Sequence, residues 1–158
     1  RLGSSIKMWS EFFPNSNVVG IDIDPACKQY EEGNISIEIG SQEDEGFMSS
    51  IKDKYQYFDI VLDDGSHINT MSLKSFEILA NITRRFYVIE DLRNSYEDLT
   101  RDVQTWPGMS LNKNLNPRND ITRKDFDSTF LSIIKEMDYK RGDYKGVYFH
   151  SQILILEK

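Results

Sequence analysis

Phe58-Asp59-Ile60-Val61-Leu62-Asp63-Asp64-Gly65-Ser66-His67 is the stretch on which the fold turns. A short apolar run, Ile60 to Leu62, ends abruptly in two acids, a glycine, a serine and an imidazole. Such a run suits a strand buried on both faces of a parallel sheet. The same signature occurs upstream, where Val18-Val19-Gly20-Ile21 closes on Asp22-Ile23-Asp24. It occurs again downstream, where Phe86-Tyr87-Val88-Ile89 closes on Glu90-Asp91. Between these runs lie helical patterns. Phe47, Met48 and Ile51 share one face over residues 43–54, and Met71, Phe76, Leu79 and Ala80 do so over 68–82. Pro25 offers a helix start for a short segment over 26–31. Ile35-Ser36-Ile37-Glu38-Ile39 alternates strictly and reads as another strand, stopped by Gly40-Ser41.

Strand and helix therefore alternate with short connections, the pattern of βαβ units on a mostly parallel sheet. Three strands deliver acids at their C-terminal ends. In open α/β sheets that edge is where ligands bind. Residues 94–120 carry no sustained period, and a stretch of that kind in a compact domain suits a lid or acceptor loop, with Tyr96 and Trp106 as candidate contacts. A helix follows over 125–137. Residues 146–150 and 152–156 then read as a terminal strand pair.

Composition narrows the possibilities. With 158 residues the chain is long enough for one domain, so residues 1–158 read as a single unit with 94–120 as its lid. Its 19 Lys and Arg against 26 Asp and Glu leave a net charge of −7, which argues against a nucleic-acid partner. One cysteine, Cys27, excludes an internal disulfide framework and a multi-thiolate metal site, and fits the cytoplasm. No apolar run approaches the roughly 20 residues of a membrane span. No membrane partner is expected, and a homo-oligomer remains compatible with the sequence.

The Asp63-Asp64-Gly65-Ser66-His67 cluster is the sharpest feature. Two carboxylates beside an imidazole can hold a hard metal next to a base; the bland alternative is a strand-to-helix turn in which one Asp caps the next helix. Glu90 and Asp91, at the end of a neighbouring strand, would complete an all-oxygen site suited to Mg²⁺ if they face Asp64. Asp22 stands where a nucleotide-binding α/β domain places the acid that accepts hydrogen bonds from ribose hydroxyls, or else it caps the turn before Pro25. Gly40-Ser41-Gln42 offers donors to an adenine edge. Gly3-Ser4-Ser5, opening an apolar-periodic stretch with Ile6, Trp9 and Phe13, offers donors to a carboxylate, or is an ordinary helix cap. His150 and Cys27 read as structural.

Together the strings Gly3-Ser4-Ser5-Ile6-Lys7-Met8-Trp9, Val19-Gly20-Ile21-Asp22-Ile23-Asp24-Pro25, Gly40-Ser41-Gln42-Glu43-Asp44, the Phe58 to His67 stretch, Tyr87-Val88-Ile89-Glu90-Asp91-Leu92 and the closing Tyr148 to Lys158 segment resemble class I S-adenosylmethionine-dependent methyltransferases. More narrowly, they resemble the Mg-dependent macrocin and mycinamicin sugar O-methyltransferases and the cephalosporin-hydroxylase-like proteins grouped with them. The resemblance covers most of residues 1–92 and the end of the chain. It implies a Rossmann-like methyltransferase fold, α/β, with a mostly parallel sheet, a C-terminal antiparallel hairpin, and the family's first strand apparently missing from the chain. It also implies S-adenosylmethionine and Mg²⁺ as cofactors and a small-molecule acceptor, a hydroxyl of a sugar or polyketide-like compound. Asp64, Glu90 and Asp91 fall at the metal ligands, and His67 at the general base. Asp22 matches the ribose-binding acid, Ser41 and Gln42 the adenine end, and Gly3 with Ser5 the methionine-carboxylate end. Thr83-Arg84-Arg85 stands where relatives have a Gly-Gly turn. Two other readings stay open: a divergent hydroxylase-like enzyme of the same fold, and a catalytically silent domain for binding or assembly. Fold analogy does not choose among them.

Overall fold

The computed structural model describes residues 3–92 and 123–158. The expected lid at 94–120, with Tyr96 and Trp106, lies outside the described residues. The chain opens with helix α1 (Ser4–Phe12) and strand β1 (Val18–Asp22). A Cβ at Gly20 in β1 would meet the side-chain ends of Ile6 and Ile37, which would have to shift to admit it. The absent methyl leaves space for the Ile6 side chain of α1 to pack over the strand.

A 3₁₀ turn over Pro25–Tyr30, rather than an α-helix, leads to β2 (Ile35–Ile39). Asp24 caps that turn by accepting a hydrogen bond from the Ala26 N–H at 2.8 Å. The strict alternation of β2 is used as expected, with Ile35 and Ile37 buried. Helix α2 (Glu45–Tyr55) begins at Asp44, whose carboxylate accepts from the Phe47 N–H at 3.0 Å. It carries Glu45 in its first turn and Lys52 and Lys54 in its last, each favourably placed for the helix dipole. Met48 and Ile51, three residues apart, enter the core.

Strand β3 (Phe58–Asp63) is followed by α3 (Asn69–Leu79), a 3₁₀ turn at Ala80–Ile82, and β4 (Thr83–Ile89). Thr83-Arg84-Arg85 is thus the first part of β4 and not a turn. Thr83 Oγ1 donates to the Leu79 carbonyl at 2.7 Å, which ties the start of the strand to the end of the helix. Helix α4 (Arg123–Asp138) leads to the antiparallel hairpin β5 (Gly146–His150) and β6 (Ile153–Glu157).

Among the described residues the strands form two sheets. Strands β1 and β2 pair in parallel, and the second sheet runs β3-β4-β6-β5, with β3 and β4 parallel and β6 antiparallel to both its neighbours. No ladder joins β1 or β2 to β3 among the described residues. The core lies on the larger sheet. Tyr87, Phe126, Phe130, Leu154 and Leu156 are completely or almost completely buried. Phe76 meets Tyr87 edge-on at 5.1 Å between ring centroids and Phe130 at 5.2 Å. Such aromatic pairs add about 0.5–1.5 kcal/mol each beyond area burial. No helix among the described residues is long and apolar enough to cross a membrane.

Candidate active site

The two acids ending β3 part ways, because successive side chains on a strand point to opposite faces. Asp63 turns inward and is 9 % exposed, whereas Asp64 is exposed at the rim. Asp63 Oδ1 accepts a hydrogen bond from the Gly65 N–H at 3.2 Å, and Ser66 Oγ accepts from the Ile68 N–H at 3.2 Å. Helix α3 has Ile68 as its N-cap residue, with no side-chain cap. Asp63 and Ser66 therefore satisfy the turn, and Asp64 is not used as a helix cap.

The β3–β4 ladder runs one rung past the strands. The Glu90 N–H donates to the Asp63 carbonyl at 3.0 Å, which sets Glu90 and Asp91 beside Asp64. Beyond them the Leu92 N–H donates to the Gln152 carbonyl at 3.0 Å, anchoring the chain to the closing hairpin. His67 and Asp91 both have positive φ, 55° and 54°. Left-handed backbone at non-glycine residues costs roughly 1–3 kcal/mol each and tends to gather at functional sites. This conformation brings three side chains together. His67 Nε2 lies 3.8 Å from Asp64 Oδ1 and 3.6 Å from Asp91 Oδ2. One ligand atom from each of the three lies within 4.8 Å of the others.

The trio that converges is Asp64, His67 and Asp91, whereas the expected ligand set was Asp64, Glu90 and Asp91 with His67 beside it. Glu90 belongs to the same electrostatic neighbourhood. Burial raises its carboxyl above the ordinary glutamate value, and the charges of Asp64 and Asp91 push it further. Asp64 is raised by burial and by Asp91, against the opposing pull of His67. Clustered carboxylates of this kind disfavour their own ionisation until a cation joins them. Three carboxylates at adjoining strand ends supply the oxygen donors and negative charge that a hard divalent cation such as Mg²⁺ requires.

The expected cofactor residues lie along the same C-terminal edge. Asp22 is exposed at the end of β1, and its Oδ1 accepts from the Asp24 N–H at 2.8 Å. The Cys27 thiol donates to Asp22, and this hydrogen bond, with desolvation, raises the thiol's pKa. The Gly40 N–H donates to the Asp22 carbonyl at 2.9 Å, so the loop after β2 starts against β1. Ser41 Oγ accepts from the Glu43 N–H at 3.2 Å. Gly3 is the N-cap of α1 at φ 71°, and a Cβ there would strike the Tyr30 ring at 2.7 Å, so only glycine fits. Ser5 is exposed in the first turn of α1.

Gln42 is the residue whose surroundings differ most from expectation. Its Oε1 accepts from the Ser66 N–H at 2.7 Å, and its Nε2 donates to Ser75 Oγ at 2.8 Å and approaches both Asp63 oxygens at 3.3 and 3.4 Å. The side-chain amide is thus engaged inside the protein rather than presented to an adenine edge. Gly65 is glycine for the same reason, since a Cβ would collide with Gln42 Oε1 and lie 3.1 Å from Asp63 Oδ1. Asp63 and Gly65 were visible in the sequence, but nothing in their spacing named Gln42 as their partner.

This fold and this edge define the class: an α/β domain with the Rossmann-like methyltransferase fold. No family model matches the chain. The MycE methyltransferase of the mycinamycin biosynthetic pathway, in complex with Mg, SAH and mycinamycin VI, superimposes with a TM-score of 0.74 at 29 % identity, over 99 % of this chain and 40 % of that one. A tetracenomycin 3'-O-methyltransferase of Streptomyces olivaceus, acting on 8-demethyl-8-(2-methoxy-alpha-L-rhamnosyl)-tetracenomycin C, is 40 % identical over 96 residues, 60 % of this chain and 24 % of its own. Demethylmacrocin O-methyltransferase of Streptomyces fradiae is 39 % identical over 108 residues, 67 % of this chain and 25 % of its own. The chain's homologues are therefore the macrocin, mycinamicin and tetracenomycin sugar O-methyltransferases. It spans about a quarter of the length of the curated relatives it matches.

Proposed function

We propose that this chain is the S-adenosylmethionine-binding, Mg²⁺-assisted catalytic domain of an O-methyltransferase whose acceptor is a hydroxyl on a sugar or other natural product. The observation that carries this reading is the convergence of Asp64, His67 and Asp91 at the ends of β3 and β4. The homologues' names and the Mg and SAH bound to MycE support the same chemistry. Residues 1–158 act as one domain, in the cytoplasm, on a small-molecule acceptor and without a nucleic-acid or membrane partner.

Asp64, Glu90 and Asp91 would hold the metal. When bound, Mg²⁺ supplies a positive charge that makes a nearby hydroxyl more acidic, and S-adenosylmethionine supplies the electrophilic methyl. His67 Nε2, 3.8 Å from Asp64 Oδ1 and 3.6 Å from Asp91 Oδ2, takes the acceptor's hydroxyl proton as the oxygen attacks the methyl. Asp22 accepts hydrogen bonds from the ribose hydroxyls. Ser41 and the Gln42 backbone border the adenine, and Gly3 with Ser5 donate to the methionine carboxylate.

A methyl-transfer assay with the full-length protein, labelled S-adenosylmethionine and glycosylated acceptors tests the reading. Transfer should require Mg²⁺ and stop on chelation. His67→Ala should slow it by about 10²–10⁴-fold with SAH affinity unchanged. Near-normal transfer by that variant would remove His67 as the base. A protein that binds neither SAH nor Mg²⁺ would instead be the catalytically silent domain.

A further inference from the structure

The described residues place one side chain between the two halves of the crevice. Gln42 belongs to the loop after β2, next to Ser41, yet both polar atoms of its side chain reach across to β3, α3 and the turn between them. It holds the Ser66 N–H, while Asp63 holds the Gly65 N–H. These two backbone donors lie between Asp64 and His67. The metal ligand and the base thus ride on a four-residue turn fixed from behind by a residue of the cofactor loop. Gly65 shows how tightly the parts fit, because no side chain is accommodated there beside Gln42 Oε1 and Asp63 Oδ1. Asp63 is itself buried, and its carboxyl is met by the Gly65 N–H, the Gln42 amide and the Ser72 side chain.

We propose that Gln42 is a positioning residue that couples the nucleoside end of the crevice to the Asp64–His67 turn, so that cofactor and Mg²⁺ each tighten the other's binding. The proposal rests on the functional reading above and adds to it a route of communication between the two sites. A ligand seated on the Ser41-Gln42 backbone restrains the loop. The restrained Gln42 amide then holds the turn in its left-handed form at His67, with Asp64 aimed toward Asp91. Reciprocity of binding free energies requires the effect to run both ways. A residue that simply read the adenine edge would change cofactor affinity alone.

Calorimetric titration of Mg²⁺ into the full-length protein, with and without saturating SAH, tests the coupling. Wild type should bind Mg²⁺ about fivefold or more tightly when SAH is present. Gln42→Ala should shrink that ratio toward one. The reciprocal swap Gln42→Glu with Asp63→Asn keeps an acceptor for the Ser66 N–H and a donor–acceptor pair between the two side chains, and should restore the ratio. Hydrogen exchange at the Ser66 amide, measured without any ligand, should quicken in Gln42→Ala and recover in the swap. If Gln42→Ala keeps the full ratio, or if wild type binds both ligands without coupling, the proposal is overturned while the methyltransferase reading stands. If Gln42→Ala loses SAH affinity without Mg²⁺ and leaves Mg²⁺ binding alone, the residue reads adenine and the coupling role fails. Binding of neither ligand by wild type would overturn both.

Discussion

The two sheets of this molecule are built to different standards. Among the described residues the β1–β2 pair is thinly covered. Helix α1 buries no residue completely, Phe12 is 70 % exposed, and only Ile35 and Ile37 of the pair are buried. On the β3-β4-β6-β5 sheet, Tyr87, Leu154 and Leu156 pack with Phe126 and Phe130 of α4 in a dense core. At the ligand edge the difference follows the same line. Asp22 on the smaller sheet accepts an ordinary local hydrogen bond, while the larger sheet holds strained backbone, mutually repelling acids and a buried Asp63. A well-packed sheet can hold residues in unfavourable states, and a lightly packed one cannot. Among the described residues, the left-handed backbone at His67 and Asp91 and the mutually repelling acids therefore lie on the sheet with the larger core to support them.

The largest test of this contrast is in packing. Phe130→Ala should lower unfolding free energy by about 3–5 kcal/mol, as removal of a fully buried aromatic does. Phe12→Ala on α1 should stay within about 0.5 kcal/mol. Denaturant melts of the two variants measure both, and comparable losses would mean that the smaller sheet carries as much of the stability as the larger.

A smaller effect should appear at the strained turn. Asp91→Gly relieves a left-handed aspartate and removes one of the repelling carboxylates. It should raise metal-free stability by about 1 kcal/mol and weaken Mg²⁺ binding at the same time. A destabilised variant would mean that Asp91 is held by favourable contacts rather than by strain tolerated for function.

The smallest effect is in pH. Asp64 and Glu90 are raised above their ordinary values in the folded protein, so the fold binds their protons more tightly than the unfolded chain does. Their ionisation therefore opposes folding at neutral pH. That opposition is relieved as the pH falls through the raised folded values, and it is gone below the ordinary carboxylate range. Bound Mg²⁺ favours the ionised forms. The rise in Tm caused by Mg²⁺ should then be larger at about pH 7.5 than at about pH 4.5. An equal or larger rise at the lower pH would contradict the origin assigned to these shifts.

Much of this was legible in the sequence, for reasons that differ by residue. The acids at strand ends were readable because an apolar run stopped by a charge marks a strand's exit from the core, and Asp22, Asp64, Glu90 and Asp91 all lie at such exits. The alternation in Ile35 to Ile39 fixed which side chains of β2 are buried. The Asp63–Asp64 pair could be seen but not divided, because which of two successive acids turns inward depends on the register of β3 against β4. The 3₁₀ form of Pro25–Tyr30 was hidden because a proline start and a short run suit either helix type. Gln42 was hidden more deeply. Its partners Asp63, Ser66 and Ser75 lie 21 to 33 residues away, and no local pattern encodes a side chain that bridges loops at that separation.

The proposed Mg²⁺ site is formed by the acids at the ends of β3 and β4, with His67 beside it as a base. A crystal structure of the protein with Mg²⁺ and SAH tests it most directly. The account predicts octahedral density with carboxylate oxygens of Asp64, Glu90 and Asp91 at about 2.1 Å, and His67 Nε2 close by but outside the coordination shell. Asp64 turned away from Glu90 and Asp91 with no metal density between them, or His67 bound directly to the ion, would contradict it.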